Sequence, residues 1–186
     1  ATATGSATVG NYSINVTQLA QAHKIASSGF SSTNAVIGSG TLEISFGEYN
    51  STTNTFSVNG SKTGATITID SSNNTLAGVR DAINSANAGV TASIVNDGST
   101  NGARLVVTSK ETGASSSVKI SVTDSDGNSS DASGLSQLAY DPTSTAGAGK
   151  NMTQSQAATN ALLTVDGISV TKSSNTITDA IQGVTL

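Results

Sequence analysis

Short segments in which large apolar residues alternate with small polar ones recur along this chain, and they constrain its fold more than any other feature. Thr41-Leu42-Glu43-Ile44-Ser45-Phe46, Thr66-Ile67-Thr68-Ile69-Asp70 and Ser117-Val118-Lys119-Ile120-Ser121-Val122-Thr123 each put every second side chain on one face, the period of a half-buried strand. Tyr12, Ile14 and Val16 alternate in the same way and predict another strand with one buried face. Arg104–Ser109 holds three apolar residues in a row, and Val90–Val95 precedes an Asn96-Asp97-Gly98 turn. Thr55–Val58 ends at Asn59-Gly60, and Asp166-Gly167 sits inside an apparent hairpin over 161–171. Asn-Gly and Asp-Gly accept the left-handed backbone that tight hairpin turns require. Gln18–Ala26 suits helix and strand equally.

One segment has the helical period. Leu76, Val79, Ile83 and Ala86 fall on a single stripe. The Thr75 hydroxyl can cap the first turn, and Gly89 is expected to cap the last. The spacing predicts one amphipathic helix over about 75–88. Residues 124–134 form a polar loop, 135–140 a short helix or turn, and 141–160 an exposed connection. Thr176–Ile181 is expected to be a short capped turn, built like the approach to the helix at 70–76. About ten strands against one helix make the expected fold class mainly β, a β-rich α+β arrangement of two small domains of antiparallel sheet.

Composition narrows the function. The chain has 186 residues, no Cys, one His and one Met, with aromatics at only 3%. Val, Ile, Leu and Ala must therefore supply most of the core. Lack of Cys excludes disulfides and thiol chemistry, and a single His excludes multi-histidine metal sites. A net charge of −4 argues against tracking nucleic-acid phosphates. No apolar run is long enough for a membrane-spanning helix. His23 is expected to be structural or solvent-facing, since Ala22 and Lys24 beside it suggest no catalytic role. Asp124-Ser125-Asp126-Gly127-Asn128 resembles the start of a calcium loop, but Ser129 and Leu135 stand where the loop needs Gly and Glu. A polar turn is the better expectation. The sequons at Asn11, Asn15 and Asn59 arise readily in a chain with 58 Ser and Thr residues. No phosphate loop is present, and neither a catalytic constellation nor a cofactor site is expected. The chain begins at Ala1, without Met or a leader-like segment, and is read as an internal piece of a longer protein. Composition alone leaves an assembly subunit and a carbohydrate-binding module both open.

Three stretches carry a resemblance. Tyr12–Ala22 resembles the start of the middle domain of the flagellar filament cap proteins (the hook-associated protein 2 family). Thr75–Asn84, with Gly89–Val95 and Leu105–Ser109, is similar to the flagellin hook-in motif, which also occurs in flagellins and other hook-associated proteins. Leu163–Ile168 with Ser174–Leu186 resembles the junction where the C-terminal half of a cap protein begins. The resemblance implies a discontinuous middle domain, residues 1–49 plus 156–186, with an outer domain inserted at 50–155.

The implied function is non-enzymatic, without cofactors. Such a protein forms a homo-oligomeric ring at the tip of the growing filament and promotes flagellin folding and insertion. The resemblance also implies an extracellular place at the flagellum tip, reached through the flagellar secretion apparatus without a cleaved signal peptide. Implied partners are further copies of itself, flagellin and hook–filament junction proteins, with host surface glycans as an added adhesive possibility. Neither nucleic acid nor membrane insertion is implied. Alternatives are the outer domain of a flagellin or another hook-associated protein, or a glycan-binding module. The residues expected to matter are structural: Thr75, Leu76, Val79, Ile83 and Gly89.

Overall fold

The computed structural model describes residues 1–186. In chain order the strands are β1 (Thr2–Ala3), β2 (Ile14–Gln18), β3 (Ala22–Ala26), β4 (Gly40–Asn50), β5 (Thr55–Val58) and β6 (Ala65–Ile69). After the helix α1 (Leu76–Ser85) come β7 (Val90–Asn96), β8 (Ala103–Thr112), β9 (Ser117–Asp124), β10 (Tyr140–Ala146), β11 (Ala148–Lys150), β12 (Thr153–Gln156), β13 (Ala161–Val165), β14 (Ile168–Lys172) and β15 (Val184–Thr185). Ala114–Ser116 and Gly134–Leu138 are short 3-10 turns.

β4 organises the largest sheet. One of its edges pairs antiparallel with β9, from Gly40↔Asp124 to Gly47↔Ser117. Its other edge is shared between β6, along Gly40–Ile44, and β5, along Gly47–Asn50. β10 and β11 extend the sheet beyond β9, and the β10–β11 pair is parallel. Alternation does its expected work here. Leu42, Ile44 and Phe46 lie opposite Val122, Ile120 and Val118, so both strands place apolar side chains on one face, where cross-strand pairs stabilise each other. A second antiparallel sheet has the order β12-β3-β8-β7, and α1 packs against β6 and β7. The two sheets and α1 enclose one core of 23 buried residues, running from Ile25 to Met152. Most are aliphatic, as the shortage of aromatics requires.

A third sheet, β14-β13-β2, and the β1–β15 pair form a smaller unit. Its own core is Leu163, Val165, Ile177 and Ile181. At the β13–β14 turn Asp166 and Gly167 have φ of 50° and 83°, the left-handed pair of a tight hairpin. Asp166 Oδ1 accepts a hydrogen bond from the Ser13 N–H at 2.7 Å, which ties that turn to the chain entering β2.

Within the small unit the Asn175 amide spans the Ala20 backbone, accepting from its N–H at 2.7 Å and donating to its carbonyl at 2.9 Å. Other polar contacts join the two units. Asn160 Oδ1 accepts from the Ala114 N–H at 2.9 Å, and the Thr112 hydroxyl donates to the Ser173 carbonyl at 2.6 Å. Gly113 (φ 100°) passes so close to Ser173 that a Cβ there would lie 2.6 Å from the Ser173 Cβ. Residue 49 lies inside β4, which pairs with β5, β6 and β9.

Two local expectations meet a different outcome. Residues 141–160, expected as an exposed connection, contain β10, β11 and β12, with Met152 buried in the large core. Thr176–Ile181 forms no regular turn of helix. It runs as bends, anchored by paired backbone hydrogen bonds between Ile177 and Leu186 of 3.0 and 2.8 Å.

Candidate functional site

The residues singled out from the sequence gather around α1. Thr75 is extended (φ −84°, ψ 161°), and its hydroxyl accepts from the Gly78 N–H at 3.1 Å. This satisfies one of the free donors of the first turn. Leu76, Val79 and Ile83 are buried in the large core. Ala86, the fourth member of the stripe, is exposed. The helix ends earlier than expected: Ala86 is its C-cap, and Asn87, with φ 50°, takes the left-handed conformation just beyond it. Asn tolerates that region better than most side chains. Gly89 lies two residues further on, with φ 68°, pressed against Phe46, and a Cβ there would sit 3.0 Å from the ring. It permits close passage of the chain and is not the helix cap.

His23 lies on the inward face of β3 and is 2% exposed. Its Nδ1 accepts from the Val118 N–H at 2.9 Å, so the ring proton belongs on Nε2, which faces Gln154 Oε1 at 3.0 Å. The Tyr140 hydroxyl donates to the same Gln154 oxygen at 3.2 Å, and the His23 and Tyr140 rings are 5.5 Å apart. Burial lowers the His23 pKa below its ordinary value, and the Gln154 hydrogen bond only partly opposes this. Burial also pushes the Tyr140 phenol up to about 12. Both groups are therefore neutral near pH 7. The cluster pins β3, β9, β10 and β12 together.

The Asp124 loop is likewise occupied by its own protein. Asp124 Oδ2 accepts from the Ser136 N–H at 2.8 Å and lies 3.0 Å from the Ser136 hydroxyl, while Oδ1 accepts from the Asp126 N–H at 3.2 Å. Asp126 and Asn128 make the same local turns with Asn128 and Ser130. These are the self-capping turns of Asp and Asn side chains.

A polar cleft opens where Asn59, Lys62, Asn87, Lys110 and Glu111 surround Phe46. Lys62 pairs with Glu111 and rests its ammonium 5.9 Å from the centre of the Phe46 ring. Phe46 is itself 3% exposed, so the cleft presents no open aromatic face on which a sugar could stack.

The surface feature that sequence reasoning missed is apolar. β2 was expected to bury one face, yet every residue in it is exposed, with Val16 at 54%. Register explains the difference. Ile14 and Val16 lie opposite Val165 and Leu163, on the correct face, but the segment that covers this face contributes only Ile177, Ala180, Ile181, Val184 and Leu186. That cover protects the middle of the sheet and leaves its flanks open.

This arrangement of sheets has close counterparts. Residues 55–111 match the family model described as the flagellin hook IN motif, and residues 158–186 match flagellar hook-associated protein 2 C-terminus. The crystal structure of the D2-D3 domains of the flagellar cap protein FliD from Escherichia coli superposes with a TM-score of 0.78 at 36% identity, covering 99% of this chain and 83% of that one. FliD (HAP2) from Pseudomonas aeruginosa PAO1 superposes with a TM-score of 0.75 at 41% identity, covering 98% and 75%.

The chain belongs to the flagellar hook-associated protein 2 (FliD) family.

The B-type flagellar hook-associated protein 2 of Pseudomonas aeruginosa is 44% identical over 99% of this chain. The chain spans about a third of that relative's length, 36%. Within this FliD-family chain the hook IN match runs from β5 through α1 and β7 to β8, and so lies in the large unit. The C-terminal match covers β13 to β15 of the small unit.

Proposed function

We propose that this chain is the head region of a flagellar filament cap, a non-enzymatic assembly protein. In the full-length protein, copies of the head join through repeated contacts into a closed ring at the filament tip. The ring retains exported flagellin subunits and promotes their folding and insertion. The protein lies outside the cell, delivered by the flagellar secretion apparatus without a cleaved leader, next to flagellin and the hook–filament junction proteins.

The observation that carries this reading is the end-to-end superposition on the D2-D3 domains of a flagellar cap protein, which extends over both units and not only the hook IN segment. That extent favours a cap protein over a flagellin outer domain. The two cores suggest how the head divides: residues 1–20 with 157–186 as the middle part, and 21–156 as the inserted outer part. Polar contacts across the boundary, between Ala114 and Asn160 and between Thr112 and Ser173, favour this division.

Sedimentation velocity on the full-length protein over a range of concentrations tests the assembly step. A species of several copies growing in with concentration is expected. A single monomer at every concentration would contradict it.

A further inference from the structure

The polar cleft around Phe46 encloses about 560 Å³, within the roughly 300–1,000 Å³ of ordinary ligand sites. Phe46 is its one apolar side chain. Two of the chain's eight basic residues, Lys62 and Lys110, meet here against the single carboxylate of Glu111. The Lys62 side chain is embedded, 19% exposed, whereas that of its partner Glu111 is 72% exposed. The Lys62 ammonium also lies 5.9 Å from the centre of the Phe46 ring, a cation–π contact that anchors it independently of Glu111. An ion pair with one exposed partner is weakly held, so Glu111 can yield its place to another carboxylate. Lys110 takes part in none of the chain's ion pairs. Asn59 Oδ1 accepts from the Ser61 N–H at 3.0 Å, which leaves the Asn59 amide hydrogens as further donors.

We propose that this cleft binds an acidic segment of polypeptide, in which one carboxylate displaces Glu111 from Lys62 and a second pairs with Lys110. Glu111 shows the chemistry that the site accepts, since a glutamate carboxylate already rests on Lys62. The cavity is larger than a single carboxylate. Its Asn59 amide and its Ser61 and Thr63 hydroxyls suit the carbonyls of an extended peptide. Residues 1–186 carry a net charge of −4, so an acidic peptide gains nothing from their overall field and must be held locally. The proposal stands apart from the cap reading, because it is tested by binding alone.

The test is fluorescence anisotropy of a labelled tetraglutamate peptide titrated with the full-length protein at low salt, with labelled tetraglutamine as the neutral control. Tetraglutamate should bind and tetraglutamine should not. Glu111→Gln removes the competing carboxylate and should tighten tetraglutamate binding about two- to fivefold, the range that an exposed ion pair commands. Lys110→Gln should weaken it by a similar factor. Both positions are exposed, so neither substitution disturbs the core. No binding of tetraglutamate, equal binding of the two peptides, or an unchanged affinity in either variant would overturn the proposal. Displacement of tetraglutamate by inorganic phosphate at the same concentration would assign the cleft to small anions and overturn it as well.

Discussion

Replacing His23 by Leu should weaken the fold near neutral pH and also abolish its sensitivity to mild acid. At pH 7.5 the substitution removes the acceptor of the buried Val118 N–H. An unpaired buried donor costs about 1–3 kcal/mol, while Gln154 keeps its hydrogen bond from Tyr140. The acid effect has the opposite consequence for the difference between the two proteins. His23 has a pKa lowered in the folded state, so its unfolded form binds a proton first as pH falls below 6.5. The stability that it contributes is complete above pH 6.5 and is lost as pH falls toward the folded pKa, with up to ~1.4 kcal/mol gone between pH 7.5 and 5.5. Asp70, Asp81, Asp131, Asp141 and Asp179 are all lowered from 3.8, so the stability they add is lost only at lower pH. His23 is the chain's one imidazole and has this window to itself. Urea unfolding of both proteins at pH 7.5 and 5.5 measures the effect. The wild type should lose stability over that interval and His23→Leu should not, so the gap between them narrows. Equal losses in the two proteins would refute a buried neutral His23.

The remaining predictions concern the two cores and the helix. Ile83→Ala opens a cavity under α1 at a side chain 1% exposed and should cost about 2–4 kcal/mol in chemical denaturation; an unchanged midpoint would contradict the packing of α1. Thr75→Ala should cost about 1 kcal/mol, with Thr75→Ser recovering most of it because Ser restores the acceptor for the Gly78 N–H. Leu163→Ala removes a quarter of the small core. It should raise amide exchange in β13 and β14 while leaving the β4–β9 amides unchanged, whereas equal acceleration in both would mean that the chain opens as one unit.

The legible parts of the fold were those in which neighbours in sequence settle the outcome. Alternation of Leu42, Ile44 and Phe46 in β4, or of Val118, Ile120 and Val122 in β9, allows one inward face, and the Asp166-Gly167 turn carries its own conformational requirement. The Thr75 cap and the Leu76–Val79–Ile83 stripe are equally local. Distant partners decided the rest. β12 reads Thr-Gln-Ser-Gln and has no apolar period; it is a strand because β3 lies beside it. The end of α1 depended on Asn87 accepting a left-handed backbone that the sequence suggested for Gly89. Exposure of Ile14 and Val16 could not be read from their alternation, which places them on the apolar face but says nothing about how far the 177–186 segment reaches across it. Membership of β4 in the large core follows from pairing with β9 some seventy residues later in the chain, beyond what the local pattern of either strand reveals. His23 gave no signal through Ala22 and Lys24. Its role comes from Val118, Tyr140 and Gln154, which only the folded sheets bring to it.

The reading of this chain as the head of a filament cap is tested most directly by where flagellin goes. In cells whose own copy of the gene has been deleted, the fraction of exported flagellin recovered as unpolymerised subunits in the medium is measured with and without the full-length protein restored. The account predicts that restoring the protein lowers that fraction sharply and returns long filaments. Flagellin lost to the medium to the same extent in both cases, with the protein present at the cell surface, would contradict it.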